Sequence, residues 1–172
     1  MANSAILVPP QGSIQIGATQ TASTSSSIVF SSGITSSYSR YYFIFTDVAQ
    51  TTSTPALVFL LNADTGSNYY YNILQFASTS NAAQNNGEFL LQYGNMGSAG
   101  TAHLSGIVEL ILPTSSDAYK MVSSKTFLRN GTTYQTVENS GFYNNASAIT
   151  SITFEMTSST IANGTFSMFG LI

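Results

Sequence analysis

Cysteine and tryptophan are absent from this 172-residue chain, histidine occurs once, and Asp, Glu, Lys and Arg together make up only 6% of it. Without cysteine there is no disulfide staple, no thiolate nucleophile and no Cys-based zinc or iron–sulfur site. Four basic residues, Arg40, Lys120, Lys125 and Arg129, stand against seven acidic ones. No basic stripe can therefore neutralise a phosphate backbone, which argues against a nucleic-acid partner. No apolar run approaches the ~20 residues that span a bilayer. The opening Ala5-Ile6-Leu7-Val8 stretch lacks the charged leader and length of a signal peptide, so the expectation is cytoplasmic synthesis without membrane insertion.

Aliphatic and aromatic residues are plentiful: AVILMFWY and Cys total 43%, with ten Tyr and eleven Phe. This is enough to build one core and too much for a disordered polar chain. The apolar residues come in short bursts separated by Ser, Thr, Asn and Gly. Such bursts at 28–30, 40–48, 56–62, 69–76, 88–93, 104–112, 118–128, 132–138, 148–156 and 165–171 read as strands. Turn formers such as Asp64-Thr65-Gly66, Asn85-Asn86-Gly87, Asn130-Gly131 and Asn163-Gly164 bound them. The Asn-x-Ser/Thr matches at Asn130, Asn145 and Asn163 read as turns by the same logic. Ile152, Phe154 and Met156 share one side of a strand, with Thr153 and Glu155 on the other. Helical periodicity is missing. The predicted fold is all-β: a two-sheet antiparallel sandwich, jelly-roll-like, of about nine or ten strands.

Residues 17–27 hold no large apolar side chain and read as a Ser/Thr-rich linker or a loop over the surface, so residues 1–27 form an extended N-terminal arm and residues 28–172 the sandwich. Within the arm, Ser13-Ile14-Gln15-Ile16 alternates like a strand that pairs with the domain or with a neighbouring subunit.

Tyr41–Phe45 and Leu57–Leu61 are apolar on both faces, while a sandwich strand needs one buried face. The second face calls for cover by a subunit interface, the arm or a long loop. The end segment with Phe169, Leu171 and Ile172 poses the same demand, and a symmetric oligomer, a trimer, meets both.

Ser39-Arg40-Tyr41-Tyr42-Phe43-Ile44-Phe45, Ala56–Gly66, Leu104–Pro113, Ile149–Phe154 and the closing Ile161-Ala162-Asn163-Gly164-Thr165-Phe166-Ser167-Met168-Phe169-Gly170-Leu171 resemble, in that order, small β-sandwich structural proteins of tailed bacteriophages. The resemblance covers roughly residues 38–172 and is most specific over the last dozen. It implies a virion component, partnered by other virion proteins.

Catalytic equipment is sparse, and an enzyme is not expected. His103 would have to serve as the base of any Ser-His-Asp arrangement, yet no Gly-x-Ser-x-Gly elbow marks a nucleophile. Glu109 and Glu155, the only acids inside well-formed strands, read as outward-facing polar positions before they read as a hydrolytic pair. Asn62–Asn68 carries alternate oxygen ligands but a single carboxylate and no closing Glu, so it reads as a turn, as does Asp117. No metal or cofactor is expected. Binding has better support: Tyr69, Tyr70, Tyr71, Tyr41 and Tyr42, with Tyr38, Tyr93, Tyr134 and Tyr143, are amphipathic rings suited to a protein interface or to a glycan. Alternation places Tyr70 opposite Tyr69 and Tyr71. Three functions follow: a host-facing tail or fibre component with glycan contact, a capsid-surface decoration or cement protein, and a free lectin or small hydrolase.

Overall fold

The computed structural model describes residues 8–172 apart from 53, 54, 77–80, 93, 95, 98, 117 and 118, with the backbone alone for 81–86. Among these, twelve strands and no helix occur: β1 (Ile14–Ser25), β2 (Ser27–Phe30), β3 (Arg40–Gln50), β4 (Leu57–Leu61), β5 (Tyr69–Gln75), β6 (Asn81–Asn86), β7 (Phe89–Leu90), β8 (Ala102–Ile111), β9 (Lys120–Asn130), β10 (Thr133–Tyr143), β11 (Ile152–Met156) and β12 (Ile161–Leu171). They form two antiparallel sheets, ordered β1-β12-β3-β8-β9-β10-β5-β6 and β2-β11-β4-β7.

The chain alternates between sheets, β1 in the large one, β2 in the small, β3 in the large and β4 in the small, then β7, β8, β11 and β12 likewise. This yields two facing quartets, β1-β12-β3-β8 and β2-β11-β4-β7, the eight-stranded double Greek key of a jelly roll. The other four strands are additions: β5–β6 follows β4 and β9–β10 follows β8, and together they widen the large sheet beyond β8.

A cluster of rings joins the quartets. Phe154 on β11 lies 5.2 Å from both Phe59 and Phe166 and 5.9 Å from both Phe43 and Phe45. Tilted ring pairs at these separations are favourable beyond their buried area. The inner face of the widened half is covered by β7, at the edge of the small sheet, and by Leu91 after it. There Thr126 Oγ1 donates to Leu91 O (2.7 Å), Asn139 Nδ2 donates to Leu90 O (2.7 Å), and the rings of Tyr71 and Phe89 lie 4.5 Å apart.

Residues 17–27 are not a linker: β1 takes up 17–25 and pairs with β12 from Ile14↔Gly170 to Ser25↔Ile161, and β2 begins at Ser27. This is an edge strand, and only Ala22 is buried in it, so pairing makes the strand and its composition gives no sign of it. The Ile14–Ile16 stretch pairs with the domain itself. Residues 1–7 of the arm, Tyr93 and Asp117 lie outside the described residues.

Both faces of Tyr41–Phe45 and of Leu57–Leu61 are already buried within the single chain. These strands therefore do not need a neighbouring subunit to cover them, which corrects the reason given for one. The end segment is also no loose tail, since β12 is held between β1 and β3; Phe169 and Leu171 are half-buried and only Ile172 is well exposed.

Candidate functional site

Side chains alternate along each strand, and the strand registers set which of them meet on the outer face of the large sheet. One row across it reads Phe169 (β12), Tyr42 (β3), Glu109 (β8), Ser123 (β9), Ser140 (β10) and Asn72 (β5). The row on one side reads Ile44, Ile107, Lys125, Glu138 and Leu74; the row on the other reads Arg40, Ile111, Met121, Phe142 and Tyr70. Between these side rows the surface dips into a trough of about 470 Å³ over Tyr42, Ile107, Glu109, Ser123, Ser140 and Asn72. A second hollow of about 430 Å³ adjoins it over Ile111, Met121, Ser123, Ser140 and Phe142.

Three strands anchor the carboxylate at the trough floor. Glu109 Oε1 accepts hydrogen bonds from the Tyr42 hydroxyl (2.8 Å) and from Arg40 (3.0 Å), and Oε2 accepts one from Ser123 (3.3 Å). The Tyr42 hydroxyl is pushed above its ordinary range, chiefly by burial and then by the bond to Glu109. Arg40 is held further toward its charged form by the Tyr42 hydroxyl and by Glu109. Lys125 and Glu138 lie opposite each other in register and pair at 2.7 Å. Each cation of the trough therefore has its own carboxylate. In such half-exposed settings these pairs give geometry more than stability.

An aromatic wall bounds one side. Phe142 and Tyr70 stack with centroids 5.2 Å apart and planes 11° from parallel, and Tyr119 leans on Phe142 at 5.0 Å. Phe142, Met121 and Tyr119 are exposed.

The tyrosines named from sequence divide sharply. Tyr41, Tyr69 and Tyr71 are core residues and do not face an interface or a glycan, a correction that follows from their position on inner faces. Tyr41 hydrogen-bonds the backbone around Gly33 and Thr35, Tyr69 that around Leu61 and Asp64, and Tyr71 accepts from Leu90 N–H. Burying a tyrosine without such partners is costly, and these bonds are what make the positions tenable. Tyr42 is largely buried at the trough floor, and Tyr70 alone of the triplet lies on the outer face. Phe169 begins the trough's central row, while Leu171 flanks Arg40.

Ser123, Ser140, Asn72, Lys125, Glu138 and Phe142 escaped the sequence reading. Their signal lies in β9 and β10, where alternation puts Lys120, Ser124, Thr126 and Asn139 inside and Met121 and Phe142 outside. This inversion of the usual pattern marks an outer face with work to do.

Acid–base chemistry finds little support in the geometry. Glu109 and Glu155 project from the outer faces of different sheets and form no pair. His103 Nδ1 lies 2.7 Å from Asp47 Oδ1, but among the described residues no serine hydrogen-bonds its ring. The Asn62–Asn68 segment is a turn. Asp64 accepts bonds from Gly66 N–H (2.7 Å), Asn68 Nδ2 (2.8 Å) and the Tyr143 hydroxyl (2.6 Å), so protein donors fill its oxygens. No group of three His or acidic residues able to hold a metal occurs among the described residues. Lys120 is fully buried and donates to Asn145 O (2.6 Å), and burial pushes its ammonium pKa down.

The Tyr143 hydroxyl, aided by the Gly66 N–H, Asn68 and Asn145, holds the Asp64 carboxyl below its ordinary range. A depressed folded-state value contributes stability above the unfolded value of about 3.9, lost as pH falls through the folded one. Tyr143→Phe is expected to lower stability at pH 7 by about 1–2 kcal/mol, a charge-assisted bond being lost. It should also flatten the acid limb of the stability profile below about pH 4. Urea unfolding at several pH values checks this, and an unaltered acid limb would remove Asp64 from the account.

The chain matches no family model, and no curated protein or solved structure matches it either.

Proposed function

We propose that this chain is a structural subunit of a phage virion, exposed on the particle, associated with the tail or its fibres and turned toward the host surface. The observation that carries this reading is a jelly roll whose large sheet is widened to eight strands. Its inner face is sealed within the chain, and its outer face presents a trough of fixed polar groups beside exposed rings. Jelly rolls serve as viral capsid and lectin domains, an analogy at the level of the fold. The end-segment pattern that resembles phage structural proteins supports the virion over a free lectin. Its work is assembly and contact, without catalysis. Copies of the chain join as a trimer alongside other virion proteins, and the exposed Phe76 and Phe127 beyond the trough supply apolar area for that contact.

Electron microscopy of particles carrying an affinity-tagged copy tests the reading. Label on the tail or fibres is the expected result; label confined to the head would replace it with a capsid decoration protein, and unlabelled particles would leave a free lectin.

A further inference from the structure

We infer that the outer-face trough binds an uncharged saccharide chain, running along the row Tyr42, Glu109, Ser123, Ser140 and Asn72. This deepens the host-facing reading and rests on it.

The site has the form of an extended groove. Five adjacent strands at about 4.8 Å spacing give that row a length of roughly 19 Å, suited to an extended ligand lying across the strands. The groups along it are those that pair with hydroxyls. Ser140 and Asn72 are exposed, and their side chains make no hydrogen bond with the protein among the described residues. Ser123 retains acceptor capacity beyond its bond to Glu109, and Glu109 is oriented by three donors before any ligand arrives. Such pre-set acceptors lower the ordering cost of binding.

The charges of the trough are balanced. Arg40 and Lys125 are each paired, with Glu109 and Glu138 respectively, so the trough carries two positive and two negative groups. A phosphate, sulfate or uronate chain would have to break a pair to find a cation, and a basic peptide would meet the same obstacle from the acids. A neutral, hydroxyl-rich ligand requires no pair to open.

An apolar wall completes the trough. Met121, Phe142 and Tyr70 occupy consecutive strands in one row, directly alongside the polar row. Polar groups beneath and ring edges beside match a ligand whose ring has hydroxyls at its rim and C–H groups on its faces. A second copy of the chain is the competing occupant.

The test titrates the purified 15N-labelled chain with linear neutral tetrasaccharides of glucose, galactose, mannose and N-acetylglucosamine, with tetragalacturonate as the acidic comparison. Light scattering on the same samples reports the oligomeric state. At least one neutral tetrasaccharide is expected to bind with Kd of about 1 mM or tighter, shifting amides of β8, β9, β10 and β5. Ser140→Arg, which fills the trough from an exposed position, and Phe142→Ala, which removes the wall, should each weaken it at least about tenfold. Tyr134→Ala, at the far end of β10, should not. Absence of binding by every neutral sugar, tighter binding of tetragalacturonate, binding that survives both trough variants, or an oligomer that protects the trough amides would each overturn the proposal. Failure here with tail label present sinks the saccharide and spares the virion role; sugar binding with unlabelled particles does the reverse.

Discussion

Phe154→Ala is expected to cost about 3–5 kcal/mol of unfolding free energy, the range for removing a buried aromatic side chain, and to be the most damaging single truncation in the molecule. Phe154 is fully buried at the middle of β11, the strand between β2 and β4 in the small sheet. It touches Phe30 and Phe59 within that sheet and Phe43, Phe45 and Phe166 across the interior. Its removal leaves a cavity bordered by rings on rigid strands, which cannot collapse to fill it, so both the transfer and the cavity terms are paid in full. Against a typical total of 5–15 kcal/mol, that loss puts the domain near its limit. Urea denaturation followed by circular dichroism measures it. Phe154→Leu, which retains most of the volume, should cost clearly less and keeps the comparison possible if the alanine variant does not fold. Tyr134→Ala, at an exposed ring, should stay within about 0.5 kcal/mol. A cost for Phe154→Ala below about 1.5 kcal/mol would mean that the rings do not hold the two sheets together.

The second large effect is expected from adding a single methyl group. Gly141 lies in β10 opposite Tyr71 of β5. A Cβ at this position would collide with the Tyr70 carbonyl oxygen and come within 2.6 Å of Tyr71 Cα. Those atoms are backbone or next to it and cannot rotate away. Gly141→Ala must therefore push β5 from β10, disturbing the Tyr71–Phe89 contact beneath and the Phe142–Tyr70 stack above. The expected loss is about 2–3 kcal/mol, at the upper part of the overpacking range. Trough binding should fall with it, since Ser140 and Phe142 flank the site of strain. Gly131 is the informative comparison. Its φ is +60°, but the space around its missing Cβ is open, so Gly131→Ala should cost only about 1 kcal/mol. If Gly141→Ala proved no worse than Gly131→Ala, the tight β5–β10 approach would be wrong.

The strands that bury large side chains were legible before any coordinates. Arg40–Gln50, Leu57–Leu61, Tyr69–Gln75 and Ala102–Ile111 fall where Tyr, Phe, Leu, Ile and Val cluster between turn residues. The two strands that escaped, most of β1 and all of β6, consist of Gly, Ala, Thr, Ser, Gln and Asn and lie at opposite edges of the large sheet. An edge strand receives its backbone partners from one neighbour and buries little, so its residues need not advertise it. The triple tyrosine shows the same division within a single element. Alternation placed Tyr70 opposite Tyr69 and Tyr71, but which side faced the core depended on Leu61, Asp64 and Leu90 as hydrogen-bond partners for the two buried hydroxyls. Those partners come from other segments, and no local pattern names them.

The amino-acid sequence by itself determined that this chain is all-β, a two-sheet sandwich with a core of aromatic and aliphatic residues and an exterior rich in hydroxyls and amides. These properties follow from side-chain periodicity and composition, which act over a few residues. Tertiary structure alone decided that β5–β6 and β9–β10 extend one sheet, and that Tyr42, Glu109, Ser123, Ser140 and Asn72 fall into a single row. That row draws one residue from each of five strands spread between positions 42 and 140. Its existence depends on strand order and register, and those are fixed only when distant segments pair.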